Sequence, residues 1–190
     1  WRSNTPCRAE GTPAFPSMTM IDLKTQIRHV PDFPKPGILF YDVTTLLRDP
    51  EGFRLAIDSV TEPFRDRGIS LVVGIESRGF ILGAAVADRI RAGFVPVRKL
   101  GKLPSACVRA TYELEYGTDS LEMHRDAIER GQRVLIVDDL LATGGTARAT
   151  VDLVKQIGGV VEGVAFLIEL LALNGRAKLP DETIHAVLKY

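Results

Sequence analysis

The segment 134–147 constrains the fold of this chain more than any other stretch. It begins with four apolar residues, continues through the adjacent carboxylates Asp138 and Asp139, and ends in a loop rich in threonine and glycine. An apolar run of this length suits a strand buried on both faces of a parallel sheet. Residues 147–157 then show apolar positions at helical spacing. The segment therefore predicts a strand, an acidic turn, a short loop and a helix, as in an α/β fold.

The loop of this unit has the composition of a phosphate cradle. N–H groups at a helix N-terminus point outward, and the helix dipole favours an anion there. Two glycines let the backbone approach an anion closely, and two threonines add hydroxyl donors. The two carboxylates only accept hydrogen bonds, which suits a pair of vicinal hydroxyls. The unit predicts a ribose 5-phosphate site formed by Asp138, Asp139, Ala142, Thr143, Gly144, Gly145 and Thr146.

Other loops of this kind fit less well. A Walker A loop requires Gly-Lys-Ser/Thr, and a dinucleotide fingerprint requires Gly-x-Gly-x-x-Gly directly after the strand; the segment contains neither. The remaining alternative is an ordinary turn in which the carboxylates cap the helix. Capping explains one aspartate well, but it explains two aspartates followed by Thr-Gly-Gly-Thr poorly.

Length and composition indicate an ordinary globular protein. The 190 residues suit one domain with a sizeable core, and a formal net charge of zero predicts no nucleic-acid or membrane partner. Cys7 and Cys107 form no disulfide or zinc pattern, which favours a cytoplasmic location. Residues 1–17 carry three prolines and no periodicity, so we expect a disordered extension before a single domain over 18–190. A functional arm is the alternative.

Alternating apolar runs and helical patterns predict a mostly parallel central sheet flanked by helices. Asp49 followed by Pro50 predicts a helix start, with the aspartate as N-cap. Three prolines make 31–37 irregular. The expected helices are 20–30, 49–67, 80–92, a polar helix ending at Gly131, and 147–157; the expected strands are 38–42, 71–75, 94–98, one from Arg133, 160–170 and 184–189, with a hairpin of 112–116 and 120–124.

A second strand–turn–helix unit covers residues 72–80. In open α/β sheets, ligands bind beyond the carboxyl ends of the strands, so the turn 76–79 should face the same ligand as the first loop. Arg78 in this turn can pair with pyrophosphate oxygens in a bidentate fork. A surface arginine at a helix cap is the alternative.

Residues from about 99 to 118 are expected to form a flexible lid. Arg98, Lys99 and Lys102 make a basic cluster at a strand end, and two glycines bracket the segment. Loops of this length inside a compact domain are usually functional or disordered. A lid would exclude water from a reactive sugar centre, whereas a disordered charged loop is the alternative.

The 134–147 unit resembles the signature of the type I phosphoribosyltransferases, which bind 5-phosphoribosyl-1-pyrophosphate (PRPP). The wider likeness is to the adenine phosphoribosyltransferases, over about residues 21–190. It implies the type I phosphoribosyltransferase fold with a small N-terminal hood at about 18–45, and the reaction adenine + PRPP → AMP + pyrophosphate, a step of purine salvage. The motifs that carry the likeness are 31–40, 76–80, 98–104, 114–117 and 137–146.

The resemblance also implies a cofactor and an assembly. Mg²⁺ would be required and held mainly by PRPP, with no direct protein ligand and a water-bridged contact to Asp138 as one route. The protein would be a homodimer in which Arg98 reaches across to the partner. Glu76-Ser77 resembles the cis peptide of the family.

The catalytic residues implied by the resemblance are Glu115, Arg78 and Lys102. Glu115 would hydrogen-bond a ring nitrogen of the base and assist proton transfer, and the two cations would stabilise the leaving pyrophosphate. From its pattern alone, Glu115 reads as part of a solvated strand face. The implied PRPP contacts add Glu76, Ser77, Arg78, Arg98, Lys102 and Tyr116 to the sugar-phosphate residues.

Adenine would lie under the hood. Phe40 would stack on the ring, backbone groups of Leu39 and Tyr41 would read its edge, and Leu170 would close the far wall. A carbonyl that accepts from the 6-amino group and an N–H that donates to N1 select adenine over hypoxanthine, which has the opposite pattern. Some family members carry arginine in place of Tyr41, and because that contact uses the backbone, we expect specificity to survive.

Two other functions stay open at this point. A phosphoribosyltransferase for another base would share the 137–146 signature but not the 31–40 and 114–117 motifs. A PRPP-binding regulator would keep the pocket without the chemistry, and such proteins usually add a basic nucleic-acid-binding element. The sequence shows no spare domain and no basic excess for that element.

Overall fold

The computed structural model describes residues 22–113 and 118–190. The expected extension at 1–17 lies outside this range. The elements are strands β1 (Arg28–Pro31), β2 (Leu39–Asp42), β3 (Leu71–Ile75), β4 (Gly93–Lys99), β5 (Cys107–Glu113), β6 (Thr118–His124), β7 (Arg133–Leu141), β8 (Val160–Glu169) and β9 (Ile184–Lys189), helices α1 (Thr44–Arg48), α2 (Pro50–Thr61), α3 (Arg78–Ile90) and α4 (Gly145–Gln156), and 3₁₀ turns Leu23–Gln26, Glu62–Phe64, Leu171–Leu173 and Gly175–Lys178.

A seven-stranded sheet forms the centre of the molecule, in the order β5-β6-β4-β3-β7-β8-β9. Strands β4, β3, β7, β8 and β9 are parallel, while β6 pairs antiparallel with both β4 and β5. The prediction of an α/β fold with a mostly parallel sheet is confirmed.

Strand β7 lies in the middle of the sheet and is buried on both faces. Val134 and Ile136 belong to the apolar core on the side of α4, and Leu135 and Val137 belong to the core on the side of α2 and α3. All four are fully buried. Both faces of β7 must therefore be apolar, which explains the continuous apolar run in the sequence.

Helix α2 begins where the sequence predicts. The carboxylate of Asp49 accepts a 2.6 Å hydrogen bond from the Gly52 N–H, and Pro50 occupies the first helical position. The helix ends at Thr61 rather than near residue 67, with a 3₁₀ turn following it. Pro63 explains the early end, because it has no N–H to donate and its ring crowds the preceding turn.

The N-terminal hood is a separate antiparallel sheet of β1 and β2, with Val30 opposite Phe40. The helix expected over 20–30 is wrong, since this stretch holds one 3₁₀ turn and then β1. Pairing with β2 competes with the weak helical spacing, and tertiary pairing commonly overrides such a local signal. Tyr41 packs its ring 4.3 Å from that of Tyr190, which ties the hood to the main domain.

Four further local predictions are corrected. The polar helix before Gly131 is a series of turns, and α3 begins at Arg78 instead of Phe80. The carboxylates expected in a turn lie within β7, because β8 pairs with it as far as Leu141. The first hairpin strand, expected over 112–116, begins at Cys107 instead and pairs with β6 from Cys107 to Glu113. Cross-strand partners stabilise these segments, and a local pattern does not reveal them.

In the described part of the chain, no helix is both long and apolar enough to span a membrane.

Replacing Asp49 with alanine should lower the free energy of unfolding by about 1 kcal/mol, because α2 loses its N-cap acceptor. Urea unfolding at a fixed protein concentration measures this change. Glu51→Ala is the matched control, since Glu51 makes only an exposed ion pair with Arg54 and should change stability by less than about 0.5 kcal/mol. Equal losses in the two variants would contradict the capping role.

Candidate active site

The site lies at the carboxyl ends of β3, β4 and β7, where the side chains that follow neighbouring parallel strands converge. A cavity of about 480 Å³ opens there. Its walls come from both predicted strand–turn–helix units and from the β5–β6 hairpin. The lining residues are Glu76, Ser77, Arg78, Lys99, Tyr112, Leu121, Asp138, Asp139, Leu140 and Thr146.

Two adjacent carboxylates form the floor of this cavity. Asp139 is only 6% exposed and Asp138 is half-buried. Burial, and then the neighbouring Asp139 carboxylate, raise the pKa of Asp138 well above its usual value. Burial also raises the pKa of Asp139, against the opposing effect of the Arg78 guanidinium. Hydrogen-bond donors from a ligand would relieve the cost of burying these oxygens.

One oxygen of the Asp139 carboxylate is buried but has no hydrogen-bond partner among the described residues. Arg78 Nε lies 2.7 Å from Asp139 Oδ2, yet this buried oxygen accepts no well-directed hydrogen bond from the described residues. The contact is therefore an ion pair in which the Arg78 N–H bond does not point at the carboxylate oxygen. Buried acceptors in native proteins are nearly always satisfied, so this unsatisfied carboxylate in the cavity wall indicates a ligand position.

Arg78 joins the hood to the carboxylate pair. Its guanidinium lies 5.1 Å from the centre of the Phe40 ring while its Nε contacts Asp139. Phe40 also packs edge-on against Phe33 at 5.1 Å. The structure thus brings the predicted base-stacking ring, the predicted pyrophosphate ligand and one predicted ribose acceptor into a continuous row.

The loop before α4 has an open helix N-terminus. Gly144 adopts a φ of +79°, and no side chain of the described residues caps α4. The loop backs onto a second segment, because a Cβ on Gly144 would lie 2.3 Å from the Gly175 carbonyl oxygen. Asp138 and residues 140–147 line a pocket of about 70 Å³ together with Phe166. The segment predicted to be a phosphate cradle is an uncapped, closely supported loop.

The second turn brings another uncapped helix to the same cavity. Among the described residues, no side chain caps α3 at Ser77, and the Glu76–Ser77 peptide is cis, as the resemblance implied. Gly79 allows the close approach, since a Cβ there would lie 2.7 Å from Asp138 Oδ1. The N–H groups of α3 therefore begin beside the carboxylate pair.

Glu76 holds the base of the expected lid. Its carboxylate lies 2.5 Å from Lys102 Nζ and 3.3 Å from Arg98 Nε, and it accepts a 3.1 Å hydrogen bond from the Lys99 N–H. Burial would raise the pKa of Glu76, but these bonds outweigh it and lower the pKa to about 2. This clamp is not evident in the sequence, because its members meet only through the pairing of β3 with β4, which places Ile75 next to Val97.

The β5–β6 hairpin lies directly over the phosphate cradle. A Cβ on Gly145 would be 3.2 Å from the Tyr112 ring and 3.4 Å from the Glu113 carbonyl oxygen. Tyr112 donates to Asp119, which also pairs with Lys99. These contacts identify Tyr112 as a site residue that the sequence analysis read only as part of an alternating strand.

A buried carboxylate organises the same region. Glu122 is 2% exposed and accepts hydrogen bonds from the backbone N–H groups of Lys102 and Leu103, at 2.9 and 3.0 Å. It shapes the turn that carries Lys102 to Glu76. Its position opposite Arg98 in the β4–β6 pairing is the signal that the sequence alone did not reveal.

The other predicted site residues that the structure describes do not line the 480 Å³ cavity. Leu39 is exposed at 43%, and Leu170 is partly buried against the core on the side of α2 and α3. The Tyr41 ring packs against the Tyr190 ring. Glu115 and Tyr116 lie outside the described residues.

Within 22–113 and 118–190, no group of three or more His, Cys, Asp or Glu side chains is arranged to hold a metal ion. The Asp138–Asp139 pair offers carboxylate oxygens only. Mg²⁺ commonly binds through one or two carboxylates together with water and substrate phosphates, so this pair suits an ion that arrives with a phosphorylated ligand.

Comparison with known proteins places this geometry in a family context. The model of the phosphoribosyl transferase domain matches residues 42–187. The chain is 58% identical to the adenine phosphoribosyltransferase of Koribacter versatilis (strain Ellin345) over 168 residues, 88% of this chain and 92% of that protein. It is 60% identical to that of Solibacter usitatus (strain Ellin6076) over 171 residues, 90% of this chain and 99% of that protein.

Solved structures show the same likeness. The adenine phosphoribosyltransferase of Rhodothermus marinus DSM 4252 superimposes with a TM-score of 0.85 at 59% identity, covering 88% of this chain and 96% of the other. That of Saccharomyces cerevisiae, in complex with D-2,5-dideoxy-2,5-imino-altritol 1,6-bisphosphate and adenine, gives a TM-score of 0.83 at 43% identity, covering 87% and 96%.

The Glu76 clamp should make stability depend on pH. Because the pKa of Glu76 falls from 4.5 to about 2 on folding, its charged form stabilises the protein above pH 4.5, and this contribution is lost as the pH falls toward 2. The difference in the free energy of unfolding between the wild type and Glu76→Gln should therefore become smaller as the pH falls below 4.5. Chemical unfolding from about pH 6 to about pH 3 measures it.

Glu62→Gln is the control for this series, because Glu62 is an exposed carboxylate paired with Arg65 and should show little gap at any pH. A gap between the wild type and Glu76→Gln that stays constant over the range would mean that the Glu76 charge does not hold the two cations.

Proposed function

The chain belongs to the adenine phosphoribosyltransferases of the phosphoribosyl transferase domain family, and from this we propose that it transfers the 5-phosphoribosyl group of PRPP to N9 of adenine. The products are AMP and pyrophosphate, so the enzyme is a pentosyl-transferring glycosyltransferase of purine salvage.

The unsatisfied carboxylate of Asp139 carries this proposal. Asp139 lines the cavity, and its Oδ2 is buried 2.7 Å from a cation without a well-directed donor among the described residues. Such a carboxylate suits a ribose hydroxyl, which supplies a hydrogen bond. Asp138 beside it offers a second acceptor for the vicinal hydroxyl. The uncapped start of α4 follows within the same unit and would hold the 5′-phosphate.

In the proposed reaction, adenine N9 attacks the anomeric carbon C1′. The bond from C1′ to the pyrophosphate oxygen breaks, its electron pair leaves with pyrophosphate, and the N9 proton is lost from the base. Positive charge builds on the sugar ring while negative charge builds on the leaving group. Cations and N–H groups aimed at the leaving group lower the barrier, and a single well-placed donor typically contributes roughly 3 kcal/mol.

Arg78, Lys102 and the N–H groups of α3 are the groups placed for that task. Arg78 now contacts Asp139 and the Phe40 ring. When ribose hydroxyls occupy the carboxylates and adenine occupies the ring face, both of these partners are taken, and the guanidinium becomes free to pair with pyrophosphate. Lys102 would likewise exchange Glu76 for the leaving group, and Arg98 would act from the same clamp or on a partner subunit.

Adenine would replace the guanidinium on the Phe40 face, under the hood. The backbone of Leu39 and Tyr41 would read its edge, and Leu170 would close the far side. Glu115 would hydrogen-bond the base and assist removal of its proton. Tyr116 would complete the contacts to PRPP.

Mg²⁺ is the proposed cofactor, since it neutralises pyrophosphate charge when it binds with PRPP. Asp138 would hold it through water. We also propose a homodimer and a cytoplasmic location, the latter from the cysteine usage.

A panel of bases tests the reaction. Wild-type protein with Mg²⁺ and PRPP should convert adenine to AMP, and it should give no nucleotide from hypoxanthine, guanine, xanthine or orotate, because wrong hydrogen-bond patterns in a buried pocket discriminate by about 10⁴-fold. Product from an oxopurine would mean that the hood reads another base. PRPP binding without product from any base would favour a PRPP-binding regulator.

Two substitutions test the assigned roles. Asp138→Asn should lower turnover by about tenfold or more, because a charged acceptor for the ribose is lost. Glu115→Ala should lower kcat by roughly 100-fold, the contribution typical of proton transfer. Glu113→Ala is the control, since Glu113 is an exposed residue of the same hairpin. Wild-type rates in the first two variants, at matched folded concentration, would reject the assignments.

A further inference from the structure

The phosphate cradle lacks a cation of its own. Residues 140–147 contain no lysine or arginine, and two carboxylates precede them. A phosphate monoester bound there would carry nearly two negative charges, whereas a helix N-terminus supplies only about half a positive charge. A further cation close to the start of α4 would balance the site.

Lys178 lies at that position. Its Nζ is 3.8 Å from the point that a Cβ on Gly145 would occupy, and Gly145 is the first residue of α4. Because Cα–Cβ bonds tilt toward the N-terminus of a helix, this point is on the open end of α4. The ammonium group therefore lies beside the N–H groups that would hold the 5′-phosphate.

The turn that carries Lys178 is held firmly on both sides. Arg176 forms a two-pronged ion pair with the buried carboxylate of Glu169, at 2.5 and 2.8 Å. Leu179 is buried, and Gly175 packs so closely on the cradle that a Cβ there would lie 2.3 Å from the Ala142 carbonyl oxygen. The backbone at Lys178 is thus fixed relative to the loop.

The Lys178 side chain has no visible structural task. It is exposed, and it makes no hydrogen bond or ion pair with any residue of 22–113 or 118–190. Other lysines around it are paired, such as Lys155 at the opposite end of α4, whose Nζ lies 2.5 Å from Glu182. A cation that is unpaired within the described residues and is carried on a fixed backbone beside the cradle is available to a ligand.

We propose that Lys178 is a further PRPP-binding residue, whose ammonium group pairs with the 5′-phosphate at the start of α4. This inference rests on the proposed function. It assigns to the 3₁₀ turn Gly175–Lys178 a direct part in holding the sugar phosphate, although that turn lies outside the signature segment.

Inhibition by the two halves of PRPP tests the assignment. In Lys178→Ala, ribose 5-phosphate should inhibit AMP formation about tenfold more weakly, equivalent to 1.4 kcal/mol, while inhibition by pyrophosphate and kcat stay within about twofold of the wild type. Lys178→Arg should restore most of the ribose 5-phosphate affinity, because a cation remains. Lys155→Ala is the matched control and should change neither constant.

Unchanged ribose 5-phosphate inhibition in a folded Lys178→Ala variant would overturn the inference. Weakened inhibition by pyrophosphate alone would also overturn it, because Lys178 would then serve the other end of PRPP. The proposed function fails separately, if the wild type makes no AMP. Calorimetry with ribose 5-phosphate would then still decide whether Lys178 binds the phosphate.

Discussion

Burial of β7 on both faces is the constraint on which the site depends. Val134 to Val137 are fully enclosed between two apolar layers, and a slip of one residue would turn each of these side chains into the opposite layer. The apolar strand therefore fixes the height at which Asp138 and Asp139 emerge. Their oxygens remain partly desolvated and short of donors, a cost that the packing of the strand offsets. The core thus positions an acidic pair that would not be stable in this arrangement by itself.

The helices differ in whether a side chain caps the N–H groups at their N-terminus. Helix α2 has its own N-cap in Asp49, as expected of a helix that only supports the core. Helices α3 and α4, which start at the cavity, have no side-chain cap among the described residues. N–H groups at a helix start are normally paired, so two uncapped helices at one cavity support the anion-binding roles proposed above. The Glu76 clamp is a comparable case. Its carboxylate pairs with Arg98 and Lys102, and in the proposed function Lys102 exchanges it for pyrophosphate.

Much of this arrangement is predictable from the sequence, because its signals are local. The apolar run of β7, the Asp49–Pro50 helix start and the strand–loop–helix order around the glycine-rich loop each depend on neighbouring residues, and each of these structural predictions is confirmed. The errors concern segments stabilised by distant partners. Strand β1 needs β2, and β5 needs β6, so neither appears in a local helical or polar pattern. Tyr112 and Lys178 reach the cradle only through tertiary folding, which is why the sequence analysis did not select them.

The interlocked backbones of Gly144 and Gly175 have a consequence for how such a protein changes over time. At each glycine, a carbonyl oxygen of the other segment occupies the space that a Cβ would need. Neither position can therefore accept alanine while the other segment's backbone stays in place. The shape of the phosphate loop is consequently encoded at two separate places in the gene. A substitution at Gly175 would distort the loop as much as a substitution at Gly144. A search for harmful substitutions that covers only the signature segment would not find it.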